Sequence, residues 1–422
     1  MRDCTRRTFG CLIGASCMAA LGSRAARSQA NARVVVVGGG VGGATAAKYL
    51  ALSANTLEVT LVEPKPQYTT CFFSNLYLGG MRSLASLTHG YETLARRYGI
   101  RIIQDSVATI DPTAKTVGLE SGARLHYDRL IVAPGIAFKF DAIEGYDEAA
   151  TQIVPHAWVA GPQTQLLREQ LEAMEDGGVF VLAAPPNPFR CPPGPYERAS
   201  LIAAYFKQFK PRAKILILDA KDSFFEQDLF QDAWERHFPG MIEWLPAQFT
   251  GGIKAVDVKT RSIKTESGSF VAAVANVIPP QVAGRLAHKG GLVDASGWCP
   301  VDPLTFESKQ QPGIHVIGDA ALAGDMPKSA FAANSQAKMC GFAVAALLTG
   351  SEEQSPHLFN TCFTFLAPDD VASDAISFKS ADGTIKIGNI LLSQVGESGQ
   401  TRREAVRTAN GWYDAFTHDV FG

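Results

Sequence analysis

The chain has 422 residues, of which 46% are hydrophobic and 19% charged, enough apolar content for a large core divided over two or three domains. Its formal charge is −2, and beyond the N-terminal region it has no run of about eighteen apolar residues, which argues against nucleic acid as a partner and against a membrane-spanning helix. The eight histidines fall at no metal-ligand spacing, so no metal site is expected. The absence of a C-x-x-C-H run means that the chain does not itself attach a c-type haem.

The first thirty residues contain "TRRTFGCLIGASCMAALGSRAARSQA", with the Arg6-Arg7 pair, Phe9 two residues on, an apolar stretch to Leu21 and a small-residue cleavage site at Ser28-Gln29-Ala30. This pattern predicts a twin-arginine export signal over 1–30 and a periplasmic address; the alternative is a short apolar helix with basic flanks. That route carries proteins already folded, often with a cofactor in place. Losing the segment removes five arginines and one aspartate and leaves the remainder about six charges negative. Cys4, Cys11 and Cys17 leave with it, while Cys71, Cys191, Cys299, Cys340 and Cys362 stay. Five is odd, so at least one of them has a fate other than an internal disulfide.

From Arg33 the chain reads "RVVVVGGGVGGATAAKYL", a β-branched run followed by Gly38, Gly40 and Gly43 in G-x-G-x-x-G spacing and then a helix former. The glycines permit a tight turn, approach of backbone to a pyrophosphate, and close helix-to-strand packing, with the phosphates at the helix N-terminus. A second strand, "LEVTLV", ends in Glu63, placed to accept from a ribose hydroxyl. Two later segments, "RLIVAPGIAF" from Arg129 and "GIHVIGDAALAGDMPKSAFAANSQAK" from Gly313, resemble the remaining signatures of glutathione-reductase-like flavoproteins, which makes the expected dinucleotide FAD. Gly318 and Asp319 then reach the ribityl or phosphate-side hydroxyls. The alternative reading of Asp319 is a helix cap alone.

A second Rossmann-like unit follows: "GGVFVLAA" as strand, "YERASLIAAYFKQF" as helix, "AKILILDA" as strand. Its phosphate loop is missing. In its place stand Pro185, Pro186, Asn187, Pro188, Phe189, Arg190, Cys191, Pro192, Pro193, Gly194 and Pro195. Proline offers no N–H to a phosphate, and its ring fills the space that glycine leaves open, so NAD(P)H is not expected to bind. The stiff loop fixes Cys191 at low entropic cost.

The segments "PKPQYTTCFFSNLYLGG", "NPFRCPPGPYERAS", "GWCPVDPLTFES", "FNTCFTFLAP" and "GWYDAFTHDVFG" resemble the flavoprotein subunit of flavocytochrome c sulfide dehydrogenase, a relative of the sulfide:quinone oxidoreductases, from about Asn31 onward. The resemblance implies an α/β fold of two Rossmann-like domains of glutathione-reductase type plus a C-terminal α+β interface domain. The boundaries are 31–144 with 285–352 for FAD, 145–284 for the second unit and 353–422 for the interface domain. It implies that Cys71 is thioether-linked to the flavin 8α-methyl group; without it, a lone Cys71 reads as a small buried hydrophobe. It implies that Cys191 and Cys362 form a redox-active disulfide that sulfide opens by thiol–disulfide exchange. Glu197 resembles the family's proton-handling acid, and is equally a carboxylate that complements the dipole of the helix it opens. Lys328, Phe331 and Trp412 are implied flavin contacts, with a tyrosine expected where Phe331 stands. Cys299 and Cys340 have no implied role.

The haem then belongs to a separate c-type cytochrome subunit, which is the expected electron acceptor and partner. The segment "TRREAVRTANGWYDAFTHDVFG" is short and mixed in charge, and reads as a docking segment for a soluble protein rather than as a membrane anchor; the alternative is an amphipathic segment packed only on its own domain. Two alternatives stay open: transfer from sulfide to quinone at the membrane surface, and an accessory flavoprotein that reactivates a sulfur-oxidising partner by thiol exchange.

Overall fold

The computed structural model describes residues 31–352 and 357–422; the expected export signal lies outside them. The opening run forms β1 (Ala32–Val37), whose last four valines are buried, and turns directly into α1 (Val41–Ser53). With β2 (Leu57–Val62), β3 (Arg101–Ile103), β4 (Arg129–Val132) and, much later in the chain, β9 (Ile314–Val316), it builds a parallel sheet in the order β9-β4-β1-β2-β3. Both faces are covered, which is why these strands read as continuous apolar runs rather than as alternations.

The second unit repeats the plan. β5 (Val179–Ala184), β6 (Lys214–Asp219), β7 (Ile242–Leu245) and β8 (Val274–Val277) form a parallel sheet in the order β7-β6-β5-β8. α2 (Gly194–Phe209) follows β5, and α3 (Gln227–His237) follows β6. The proline-rich loop, whose structure the sequence leaves undefined, is the β5–α2 connection, at the C-terminal end of the parallel strands where ligands of such sheets bind.

α4 (Ala330–Thr349) returns the chain to the first unit and packs along α1; Ser329 caps it by accepting from the Ala332 N–H at 3.1 Å. Then come β10 (Leu358–Ala367), β11 (Asp370–Ala381) and β12 (Thr384–Leu392), an antiparallel meander, and α5 (Gly399–Phe421). The fold is thus the two-Rossmann α/β architecture with a C-terminal α+β unit.

The terminal segment expected to serve as a docking segment is the 23-residue helix α5, whose Tyr413, Phe416, Val420 and Phe421 are buried against the body of the protein. Lys48 of α1 caps its end, donating to the carbonyls of Asp419 and Gly422 at 2.9 Å each. Among the described residues no helix is long and apolar enough to cross a membrane, and no group of His, Cys, Asp and Glu is placed to hold a metal ion.

Candidate active site

A cavity of about 570 Å³ runs between the first sheet, the proline-rich loop and the C-terminal unit. Its far end is the turn between β1 and α1. Gly38 has φ +100°, and a Cβ there would collide with the Ala133 carbonyl; a Cβ on Gly43 would collide with the Gly38 carbonyl. Gly43 therefore serves helix-to-strand packing behind the wall, whereas Gly38 and Gly40 line the cavity. No side chain caps the start of α1, so its first-turn N–H groups are free to bind an anion. Glu63 also lines this end, with Oε2 accepting from the Gly39 N–H at 2.7 Å and Oε1 from the Lys65 N–H at 3.0 Å.

The middle of the cavity holds Gly318 and Asp319, which follow β9, and Arg190 from the proline-rich loop. Arg190 donates to the Trp158 carbonyl, and its guanidinium lies 3.7 Å from the Asp319 carboxylate. Burial raises the Asp319 carboxyl, and Arg190 and Lys328 offset that rise. Lys328 is not on the cavity wall. Its ammonium donates to the carbonyls of Asp319 (2.7 Å) and Ala321 (3.1 Å) and sits 3.7 Å from the centre of the Trp298 ring, and burial pulls its pKa down to about 8. It braces the Asp319 turn from behind.

The near end is aromatic and sulfur-rich. Phe331 at the start of α4 and Trp412 of α5 stack with ring centres 6.3 Å apart. The indole N–H groups of two wall residues, Trp158 and Trp412, have no partner in the protein. Glycine turn, uncapped helix start, flat aromatic slot and two orphaned donors together suit an elongated, polar-ended and aromatic ligand, so these residues fit FAD.

Cys71, Cys191 and Cys362 all line this same cavity, whereas Cys299 and Cys340 are buried elsewhere. All five stand as free thiols. Tyr68 Oη lies 3.7 Å from Cys71 Sγ. Cys191 has φ +60°, a left-handed conformation that side chains rarely adopt, held by its N–H donating to the Lys328 carbonyl at 2.8 Å and by its carbonyl accepting from Gly194 N–H at 2.9 Å. Burial, then the neighbouring Glu197 and Cys71, push the Cys191 thiol up to about 12; burial, Asp374 and Cys191 hold Cys362 well above the usual thiol range.

Glu197 lies in the first turn of α2 and faces inward. Its Oε2 accepts from Asn75 Nδ2 at 2.7 Å and its Oε1 from the Phe365 N–H of β10 at 3.0 Å. Burial raises its carboxyl, opposed by those two donors and by Arg198.

Arg198, one residue on and only 1% exposed, donates to Asn75 Oδ1, Asn276 Oδ1 and the carbonyls of His156 and Ala157 at 2.6–3.1 Å. Asn75, Arg190 and Arg198 escape a reading of the sequence, because their importance comes from partners more than thirty residues away. The available signal is the charge itself: two arginines within eight positions of an otherwise apolar loop and helix start need buried acceptors.

Fold and site define a flavin-dependent oxidoreductase, and residues 32–169 match the pyridine nucleotide-disulphide oxidoreductase family. Residues 164–279 match the central part, and 354–421 the flavin-binding part, of the flavocytochrome c sulfide dehydrogenase flavoprotein chain. The chain belongs to the flavocytochrome c sulfide dehydrogenase and sulfide:quinone oxidoreductase family of flavoproteins. It is 63% identical over 43 residues, 10% of this chain and 90% of the relative, to the sulfide dehydrogenase flavoprotein chain of Chlorobaculum thiosulfatiphilum. It is 25% identical over 314 residues, 71% of this chain and 67% of the relative, to the mitochondrial sulfide:quinone oxidoreductase of Mus musculus. The sulfide:quinone oxidoreductase structure from Aquifex aeolicus superposes with a TM-score of 0.76 at 16% identity, covering 92% of this chain and 91% of that one, a likeness of fold.

Proposed function

We propose that this protein oxidises sulfide to sulfur or polysulfide through a Cys191–Cys362 disulfide and an FAD joined to Cys71, delivers the electrons to a c-type cytochrome subunit, and works in the periplasm after twin-arginine export. The observation that supports this most is the meeting of Cys71, Cys191 and Cys362 in one cavity beside Gly38, Asp319 and Trp412.

Bound there, FAD supplies a two-electron acceptor that can pass electrons on singly. The chain's residues do the rest. HS⁻ attacks one sulfur of the disulfide, so that a sulfur–sulfur bond to sulfide forms, the Cys191–Cys362 bond breaks, and the released electron pair stays on the departing sulfur. The proline-rich loop and the Lys328 carbonyl fix Cys191, Asn75 and the Phe365 N–H fix Glu197, and Trp412, Phe331 and Phe363 keep water from the sulfurs.

A cysteine-linked cofactor does not leave on denaturation. Cys71→Ser is therefore expected to give folded protein whose flavin is released into the supernatant by acid, and covalent flavin retained in that variant would remove Cys71 from the role. NADH and NADPH at millimolar concentration are expected to leave the flavin oxidised while sulfide bleaches it promptly, because the β5–α2 loop has prolines where a phosphate needs N–H donors. Saturable reduction by either nicotinamide, seen in the flavin absorbance, would refute that reading of the loop.

A second reading, delivery to quinone at a membrane surface, draws support from one feature. Strand β12 pairs on one side only and presents Ile387, Ile390 and Leu391, with Val395 just beyond, at 43–74% exposure. Comparing reduction of cytochrome c with that of a short-chain quinone, with and without vesicles, separates the two.

A further inference from the structure

On the face of the C-terminal meander that carries Cys362 lies a second pair of acids. β10 and β11 run antiparallel with Cys362 directly opposite Asp374, and Asn360, Cys362 and Thr364 share a face through the two-residue period of the strand. Asp374 is 5% exposed. Its Oδ1 accepts from the Cys362 N–H at 3.2 Å and from Asn360 Nδ2 at 2.8 Å, and that same amide lies 3.6 Å from Cys362 Sγ. Beyond Asp374 lies Glu226, immediately before α3. It has φ +63°, its two carboxylate oxygens are shut off from solvent, and neither has a hydrogen-bond partner.

A buried carboxylate with no donor to satisfy it, on a residue held in the left-handed region, is costly to the fold on both counts. The charges facing it are Asp374 from β11, Glu197 from α2 and Arg402 from α5; those facing Cys362 are Asp374, Cys191 and Glu226. Each acid is therefore coupled to the sulfur and to the other.

We propose that Asp374 exchanges a proton with the Cys362 sulfur and that Glu226 stores it. This rests on the reading of Cys191 and Cys362 as the exchanging pair. When their bond opens and Cys362 departs with the electron pair, the Asp374 carboxyl O–H breaks, the proton bonds to sulfur, and Asp374 is reprotonated from Glu226. When the dithiol closes again, the S–H breaks, its proton returns to Asp374 and then to Glu226, and as the S–S bond forms two electrons pass to the bound flavin, the two-electron acceptor of the proposed function. No electron is transferred in either proton step. The positions on the proton scale suit such traffic: burial raises Asp374 to about 6, and burial together with Asp374 raises Glu226 to about 7, with Thr364 and Arg402 opposing, so the store is half-filled near neutrality while the thiol stays protonated.

The test uses flavin-loaded protein reduced with dithiothreitol and desalted, with alkylation of Cys362 by iodoacetamide followed from pH 6 to 10 by peptide mass spectrometry. Asp374→Asn keeps the Oδ1 acceptor for Asn360 and the Cys362 N–H but removes the charge that holds the thiol up, so Cys362 is expected to alkylate roughly tenfold faster at pH 8. In the same variant, flavin reduction by saturating sulfide is expected to fall about 10²-fold. The two readouts move in opposite directions, which a displaced sulfur would not produce.

Glu226→Gln, predicted to be no less stable in urea, slows sulfide-driven reduction as well, and the wild-type loss of rate as pH rises through about 6, where Asp374 gives up the proton it must donate, disappears in Asp374→Asn. Parallel loss of alkylation and turnover in Asp374→Asn, wild-type behaviour in it, or full turnover in Glu226→Gln overturns the relay. Cys362→Ser separates the two levels: if it still reduces flavin with sulfide, the reading of the pair fails; if it is dead while Asp374→Asn is wild-type, only the relay fails.

Discussion

Serine at either Cys191 or Cys362 is expected to cut sulfide-driven cytochrome reduction on the order of 10³-fold or more, the scale seen when a covalent nucleophile is removed. One sulfur has to receive the incoming sulfide and the other has to leave with the electron pair, so neither can be spared. Both thiols are held above the ordinary range by burial, which makes each an ineffective free nucleophile and ties their chemistry to one another. Flavin binding should persist, because glycine turn, Asp319 and the aromatic slot are untouched. Reduction of that flavin by dithionite, followed by passage of electrons to the cytochrome, should survive in both variants. Near wild-type turnover with sulfide in either one would return the pair to a structural role.

Arg198→Met is expected to lower the stability of the whole chain by about 3–5 kcal/mol in urea denaturation, the usual result of removing one member of a buried charged network. Four acceptors each lose a donor at once, Asn75, Asn276 and the carbonyls of His156 and Ala157, of which the His156 carbonyl keeps a second donor in Asn276 Nδ2 at 2.9 Å. Asn75 loses its anchor as well, and Asn75 is what holds Glu197, so the carboxyl should rise further toward its neutral form. Lysine should not restore the loss, since one ammonium on a flexible stem cannot meet acceptors spread around a planar fork. A change below about 1 kcal/mol would mean that the network is satisfied by other means.

What could be read from the sequence follows the reach of each interaction. β1, the glycine turn and Glu63 lie within about thirty residues, and their order along the chain is the order in which they meet in space. The prolines around Cys191 are legible for the same reason, since each acts on its own backbone. Lys328 shows the limit. Its place two residues before the start of α4 suggests a flavin contact, yet its side chain turns to Trp298 and the Asp319 carbonyl behind the wall. Asn75, Asp374 and Glu226 carry no local signal, and Arg198 carries only its charge. They become significant only when the helix Ser74–Leu78, α2, α3 and β10 are packed together, and an acid without partners cannot be recognised until the partners have been sought.

The cavity is closed by contacts between parts of the chain that are far apart in sequence: Asn75 with Glu197 across 122 positions, Glu197 with Phe365 across 168, Thr70 with Tyr413 across 343, Lys48 with Asp419 across 371. Each closes a long loop, whose entropy must be given up before the contact returns anything. The second Rossmann-like sheet gathers from nearer segments, its farthest pairing being Phe180 with Val274, whereas the first needs Ile314–Val316 to reach Arg129–Val132, so the chamber and the edge of the first sheet are expected to assemble late in folding. A ligand lying along that chamber touches all of these segments together. It acts as a clasp: it slows the opening of the joined units far more than it speeds their meeting, and the loaded protein outlasts the empty one by a slower rate of unfolding.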